Sequence, residues 1–338
     1  MAKKSLWAFI LPALISVAMI WGLVLFVDAG SFVSMWNNGD PVRIGLSALV
    51  FFAGLILRAW RFRYLLAKVH QHELPFRCGY DTAVVSNLLN HLLPLRLGEL
   101  SFLFLASVTY RVPAAKAAIA LLLARLYDLI ILLVLLVIGL VWVSERAEMS
   151  WLIAAAALTA ALLFVAVRLD LAVALGRRFA GAVLGGQRNW QTKTSARIAG
   201  LLNKLSEGAK TARDWRLVLV SIALSAGIWA LLLEFFSLVL HGFGLPLPFE
   251  RVMVGSAGAT LLPILPINAF GSLGTLEAGW SAGFVWMGLS KQDAVASGFA
   301  MHIIVIGVSL AAALFSLLRL GPDVARSFQA WRKDVSSG

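Results

Sequence analysis

Two ionisable residues stand on a stretch apolar enough to enter a bilayer. They are Arg96 and Glu99, at the end of Asn87–Glu99, N-L-L-N-H-L-L-P-L-R-L-G-E. A guanidinium offers paired N–H donors to a phosphate. A carboxylate binds a proton or a cation, or holds a guanidinium in place. Pro94 removes a backbone donor and blocks the helix ladder, and Gly98 is permissive. In hydrocarbon, freed backbone groups are tolerated only inside protein or beside a water-filled cavity. Half-helix N-termini at such a break offer unpaired N–H groups and a positive dipole end to an anion. The chemistry these residues suit is the capture of an anion within the membrane.

A second broken stretch, Leu261 to Glu277, contains Pro266, Gly271 and Gly274 before Glu277. Either glutamate suits a coupling role, a partnership with Arg96 or Arg125, or a plain hairpin cap. Arg125 and Asp128 lie in a long apolar run, where a charge at mid-bilayer costs roughly 2.5–3.5 kcal/mol. Both must therefore face protein or water. Three apart on a helix, they share a face and suit mutual pairing as well as a site. His302 and Glu234 are embedded in the same way. An imidazole ordinarily changes charge near neutrality, but a lone one among apolar residues is often only hydrogen-bonded. His70-Gln-His72-Glu73 lacks helical ligand spacing, so no metal site is expected. No nucleophile–base spacing or phosphate-cradling loop suggests an enzyme, and no cofactor is implied.

The elements that position these residues follow from composition. The chain has 338 residues, 60% hydrophobic and 14% charged, with a mean hydropathy of +0.87. Soluble domains are nearer a quarter charged, so the fold class is an all-α polytopic membrane protein. Cys78 is the one cysteine, which excludes an internal disulfide and a Cys-based metal site. Spans need about 20 apolar residues. They are read at Leu6–Val27, Ile44–Leu57 (extending as far as Leu66), Ala117–Val143, Trp151–Val167, Leu217–Leu240 and Ala294–Leu320. The first run exceeds the roughly 7–15 residues of a signal-peptide core and is read as a retained helix.

The formal net charge is +12. Lysine and arginine mark cytoplasmic loops, here the N-terminus, 58–82, 168–216 and the C-terminal tail. That pattern accounts for the excess charge, so nucleic-acid binding is not expected. Segment 168–216 reads either as a helix at the membrane surface or as a solvated linker. An alternating path then requires 83–108 and 252–288 to be broken re-entrant hairpins that enter and leave on opposite faces. The chain divides into an inverted-topology repeat, 1–143 and 144–338, with six spans and two hairpins. Ala117–Arg125 and Ala294–His302 correspond at an offset of 177. Broken segments at matching positions of an inverted repeat point to a transport site near the midplane.

With these residues in view, the chain resembles the flippase-like membrane region of lysylphosphatidylglycerol synthases, which also occurs as stand-alone proteins. The resemblance rests first on Asn87 and on Asn90-His-Leu-Leu-Pro94-Leu-Arg96-Leu-Gly98-Glu99. It rests next on Arg125 with Asp128, and on Leu265-Pro266-Ile-Asn268 through Gly271, Gly274, Thr275 and Glu277. Family members usually carry arginine where His302 stands. The resemblance implies movement of lipid between leaflets or handling of lipid-linked precursors. The candidate substrate-binding set is Arg96, Glu99, Arg125, Asp128, Glu277, Asn87, Asn90 and His302. Pro94, Gly98, Pro266, Gly271 and Gly274 break the helices.

The expected function is a flippase in the bacterial inner membrane with both termini cytoplasmic. Its cargo would be an anionic or polyprenyl-phosphate-linked lipid. The alternative is an accessory protein that supports an envelope biosynthetic enzyme and docks through 168–216. Full synthases also carry a soluble aminoacyl-transferase domain. With 18 residues after Leu320 and a largest loop too short and basic for such a domain, this chain is not expected to be that enzyme.

Overall fold

Helix α1, Ala29–Asn37, leads into a capped start. The Asp40 carboxylate accepts the Val42 and Arg43 N–H groups at 2.9 and 3.3 Å, with Pro41 at the first helical position. This arrangement satisfies donors that a helix N-terminus otherwise leaves open. Helix α2 then runs without interruption over Pro41–His70. It closes at Gln71, whose left-handed backbone (φ 63°) lets its N–H reach the Ala67 carbonyl at 2.8 Å. The span is longer than its apolar core suggested. Its arginines do not end it, because Arg61 turns inward and is buried.

A computed structural model describes residues 29–93, 97–143, 149–168, 214–261 and 274–336, together with Trp21. Helix α3, Phe76–Leu92, stops at Leu93, whose backbone is extended. Helix α4, Leu97–Phe104, continues as a π-helical turn over Leu105–Thr109. Long helix α5 covers Ala114–Val143, and apolar helix α6 covers Met149–Val167. Helix α7, Trp215–Gly242, is capped by Asp214, which accepts the Arg216 N–H at 2.9 Å. Helices α8 (Phe249–Leu261), α9 (Thr275–Trp286) and α10 (Lys291–Ser336) complete the described chain.

No strand occurs among the described residues. Among those residues four helices are long and apolar enough to cross a membrane: Pro41–His70, Ala114–Val143, Trp215–Gly242 and, within α10, Lys291–Leu320. The expected span 6–27 lies outside the described residues apart from Trp21. So do 169–213 and the breaks themselves, including Pro94, Arg96, Pro266 and Gly271.

Among the described residues one order occurs twice: long helix, short helix, short helix, long helix. It is read as α2, α3, α4, α5 and again as α7, α8, α9, α10. The packing is reciprocal. Helices α2 and α7 lie against each other, α3 packs on α10, and α8 packs on α5. Glycine permits the tightest approaches. A Cβ on Gly98 would stand 2.4 Å from the Ser86 carbonyl of α3. One on Gly258 would stand 2.1 Å from the Gly279 carbonyl, and one on Gly283 would stand 2.0 Å from that of Gly255. The buried apolar residues form two clusters. One is centred on Phe235, Trp280 and Phe284, the other on Phe62, Phe102 and Tyr127.

Candidate functional site

A cavity of about 360 Å³ opens where the short helices meet the long ones. Its polar wall comes from α2 to α5 and includes Arg58, Asn87, Asn90, His91, Glu99, Arg125 and Asp128. Its apolar wall comes mainly from α7 to α10 and includes Trp229, Phe236, Leu276 and Val305. Five residues expected from sequence (Asn87, Asn90, Glu99, Arg125 and Asp128) therefore line one cavity, although they sit on three helices. Arg96 lies outside the described residues.

Each charge on the wall has a definite partner. Arg125 Nη2 is 2.9 Å from Glu99 Oε1, and the two side chains remain 39% and 27% exposed. That pair faces the cavity rather than being sealed in the core. Asp128 does not pair with Arg125, which corrects the reading drawn from their spacing. Its carboxylate takes both arms of the Arg61 guanidinium, with Nη2–Oδ2 at 2.9 Å. Arg61 Nη1 also donates to Ser225 Oγ at 2.7 Å. The fork of Arg61 reaches Asp128 from α2 and takes both carboxylate oxygens, while Arg125 is held by Glu99.

Arg58 lies one turn before Arg61. Its Nη1 donates to Asn87 Oδ1 at 2.8 Å, and Asn87 Nδ2 passes the link on to Ser309 Oγ at 2.8 Å. Two carboxylates and three guanidinium groups meet here, leaving one positive charge in surplus among the described residues. Such a surplus favours an anion.

Arg58 and Arg61 were read from sequence as part of a cytoplasmic basic cluster. The overlooked signal was periodicity. Both fall on the helix stripe that carries Phe51, Leu55, Phe62 and Leu65, all buried.

The second half holds a matching acid–base pair. His302 Nδ1 lies 2.6 Å from Glu277 Oε1, and both residues are almost wholly buried. Glu277 Oε2 accepts the Gly274 N–H at 2.7 Å, so this glutamate caps the start of α9. Gly274 makes the cap possible with φ +86°. Glu99 and Arg125 are 26 positions apart, and Glu277 and His302 are 25 apart. Each basic residue, on a long helix, meets a glutamate in the first turn of a short helix.

Helices α3 and α10 are joined by a polar seam that the sequence reading did not anticipate. His302, Ser309 and Ser316 recur every seven residues and are buried. They meet, in turn, His91 (ring centroids 5.3 Å apart), Asn87 and Asp81. Ser316 Oγ donates to Asp81 at 2.6 Å, and Arg319 and Tyr110 bind the same carboxylate. Among the described residues no group of three His, Cys, Asp or Glu side chains is placed to hold a metal ion. Glu234 is exposed on α7, away from the cavity wall.

The family model for the lysylphosphatidylglycerol synthase TM region matches residues 9–313. The chain belongs to that family. Within this lysylphosphatidylglycerol synthase TM region the match takes in both pairs of short helices and every cavity residue named above. Together with the long apolar helices it makes this a multi-pass membrane protein of a lipid-related family. No curated protein and no solved structure matches the chain.

Proposed function

We propose that this protein moves an anionic lipid, either a phospholipid or a polyprenyl-phosphate-linked lipid, between the leaflets of the bacterial inner membrane. The observation that carries the reading is the two-sided cavity. One wall offers guanidinium and amide donors with a surplus positive charge, and the other is apolar. A volume of about 360 Å³ suits a head group rather than a whole lipid. The acyl chains would then stay against the apolar wall and the surrounding bilayer while the head group crosses.

In this reading Arg58 and Arg125 meet the phosphate, and Asn87 and Asn90 orient it. Glu99 releases or holds Arg125 as the cargo leaves or arrives. The twice-repeated helix order and the two acid–base pairs support an inverted repeat in which the hairpins re-enter from opposite faces. Both termini are assigned to the cytoplasm by the distribution of lysine and arginine. The chain is read as a carrier and not as an aminoacyl transferase.

The test combines mass spectrometry of co-purified lipid with a vesicle assay. Wild-type protein should retain a defined anionic or polyprenyl lipid, and Arg125→Ala should lose at least tenfold of it. Glu99→Gln should slow flipping of that lipid at least tenfold at unchanged membrane expression. Bulk lipid in both preparations, or wild-type flipping by Glu99→Gln, would overturn the reading.

A further inference from the structure

The two acid–base pairs occupy corresponding places but differ in one respect. The first, Glu99 with Arg125, holds a cation that does not lose its proton in proteins. The second, Glu277 with His302, holds an imidazole, the side chain that ordinarily changes charge between about pH 5 and 8. We propose that Glu277, His302 and His91 form a proton-binding site that couples proton uptake to occupancy of the head-group cavity. This deepens the lipid-transport reading and rests on it for the coupling, though not for the proton site.

The proposed starting state has Glu277 ionised and His302 neutral with its proton on Nδ1. Glu277 accepts twice, from the Gly274 N–H at Oε2 and from His302 Nδ1–H at Oε1. The second bond leaves a bare lone pair on His302 Nε2. That nitrogen is buried and has no hydrogen-bond partner among the described residues. The edge-on His91 ring is 5.3 Å away between centroids, and its Nδ1 is also buried and unpartnered. His91 lines the cavity, so the pair has a neighbour at the cargo site. In this state the buried pair carries one negative charge. A proton on Nε2 makes it an ion pair of zero net charge, as Arg125 does permanently for Glu99.

The surrounding charges are few. Helix α3 contributes His91 and α2 contributes Arg58, which is bound to Asn87 one turn from His91. Helix α9 contributes only Glu277. Glu234 of α7 is exposed, and Glu250 and Arg251 are confined to the first turn of α8. Glu99, Arg125 and Asp128 stand across the cavity. An anionic head group would add negative charge beside His91, favouring the extra proton. That proton enters on Nε2 with the cargo and leaves when the cargo departs, so nothing else is consumed.

Two measurements on the full chain decide the matter. In ¹⁵N-histidine-labelled protein in nanodiscs, His302 should show the Nδ1–H tautomer with bare Nε2 and gain a second proton on acidification. Glu277→Gln should mix the tautomers and shift that protonation by at least tenfold in proton concentration. His302→Arg should remove the signal while keeping a cation in place. In vesicles, flipping of labelled phosphatidylglycerol should change at least fivefold with an imposed pH gradient in wild type and less than twofold in His302→Arg. A His302 that never gains the proton, or does so identically in Glu277→Gln, overturns the site. Flipping that ignores the gradient overturns the coupling. Absence of flipping under every condition overturns the transport reading instead, and the nitrogen signals still decide the proton site.

Discussion

Asp128 shows how much a single partner decides. Its carboxylate is committed to Arg61, which is only 1% exposed. Removing one member of a buried ion pair typically costs about 3–5 kcal/mol, because the other charge is left uncompensated. Asp128→Asn should therefore unfold earlier in a denaturant series of the solubilised protein, and Arg61→Met with Asp128→Leu should recover most of the loss. A single variant as stable as wild type would refute this account. Sequence alone marked Asp128, Arg125 and Glu99 as embedded charges, because charge is conspicuous among leucines. It did not mark the partner. Arg61 and Arg58 border a run of further basic residues, and a rule that sends arginine to the cytoplasm absorbed them. Asp81 went unremarked for a similar reason. It stands near that basic loop, and its partners Ser316 and Arg319 come from more than two hundred positions away.

At the level of elements, the long helices were legible from hydropathy. Their contacts were not, since Leu- and Ala-rich surfaces carry little information about which helix they will meet. The glycines are informative once the partner is known. Gly258 lies so close to the Gly279 carbonyl that no real Cβ fits at 2.1 Å. Gly258→Ala should push α8 from α9 and lower the melting temperature, since overpacking costs typically about 1–3 kcal/mol. Gly307→Ala is the matched control within α10. Nothing lies within 4 Å of its added Cβ, and alanine is the better helix former by about 1 kcal/mol. Circular dichroism melting of both should give opposite signs or a neutral control. Equal losses would show that helix packing at Gly258 is looser than described.

At the scale of the described molecule, α2–α5 and α7–α10 each hold an acid–base pair and the same order of long and short helices, and the cavity lies where they meet. The short helices carry a consequence for the bilayer itself. At 1.5 Å per residue, the 17-residue α3 is about 25 Å long and the 13-residue α8 about 20 Å. A typical hydrocarbon layer is about 30 Å thick. Neither element alone reaches from one water boundary to the other, whereas α2 and α5, at 30 residues each, exceed that distance. Where such a short element meets lipid, local thinning of the bilayer is one accommodation. The protein would thus present its cargo with a membrane narrower than the one it lives in, where a polar head has less oil to cross. Lengthening the acyl chains of the host vesicles should slow flipping progressively, because each added methylene restores part of that barrier. A rate indifferent to chain length would mean that the passage is walled off from the lipid along its full depth.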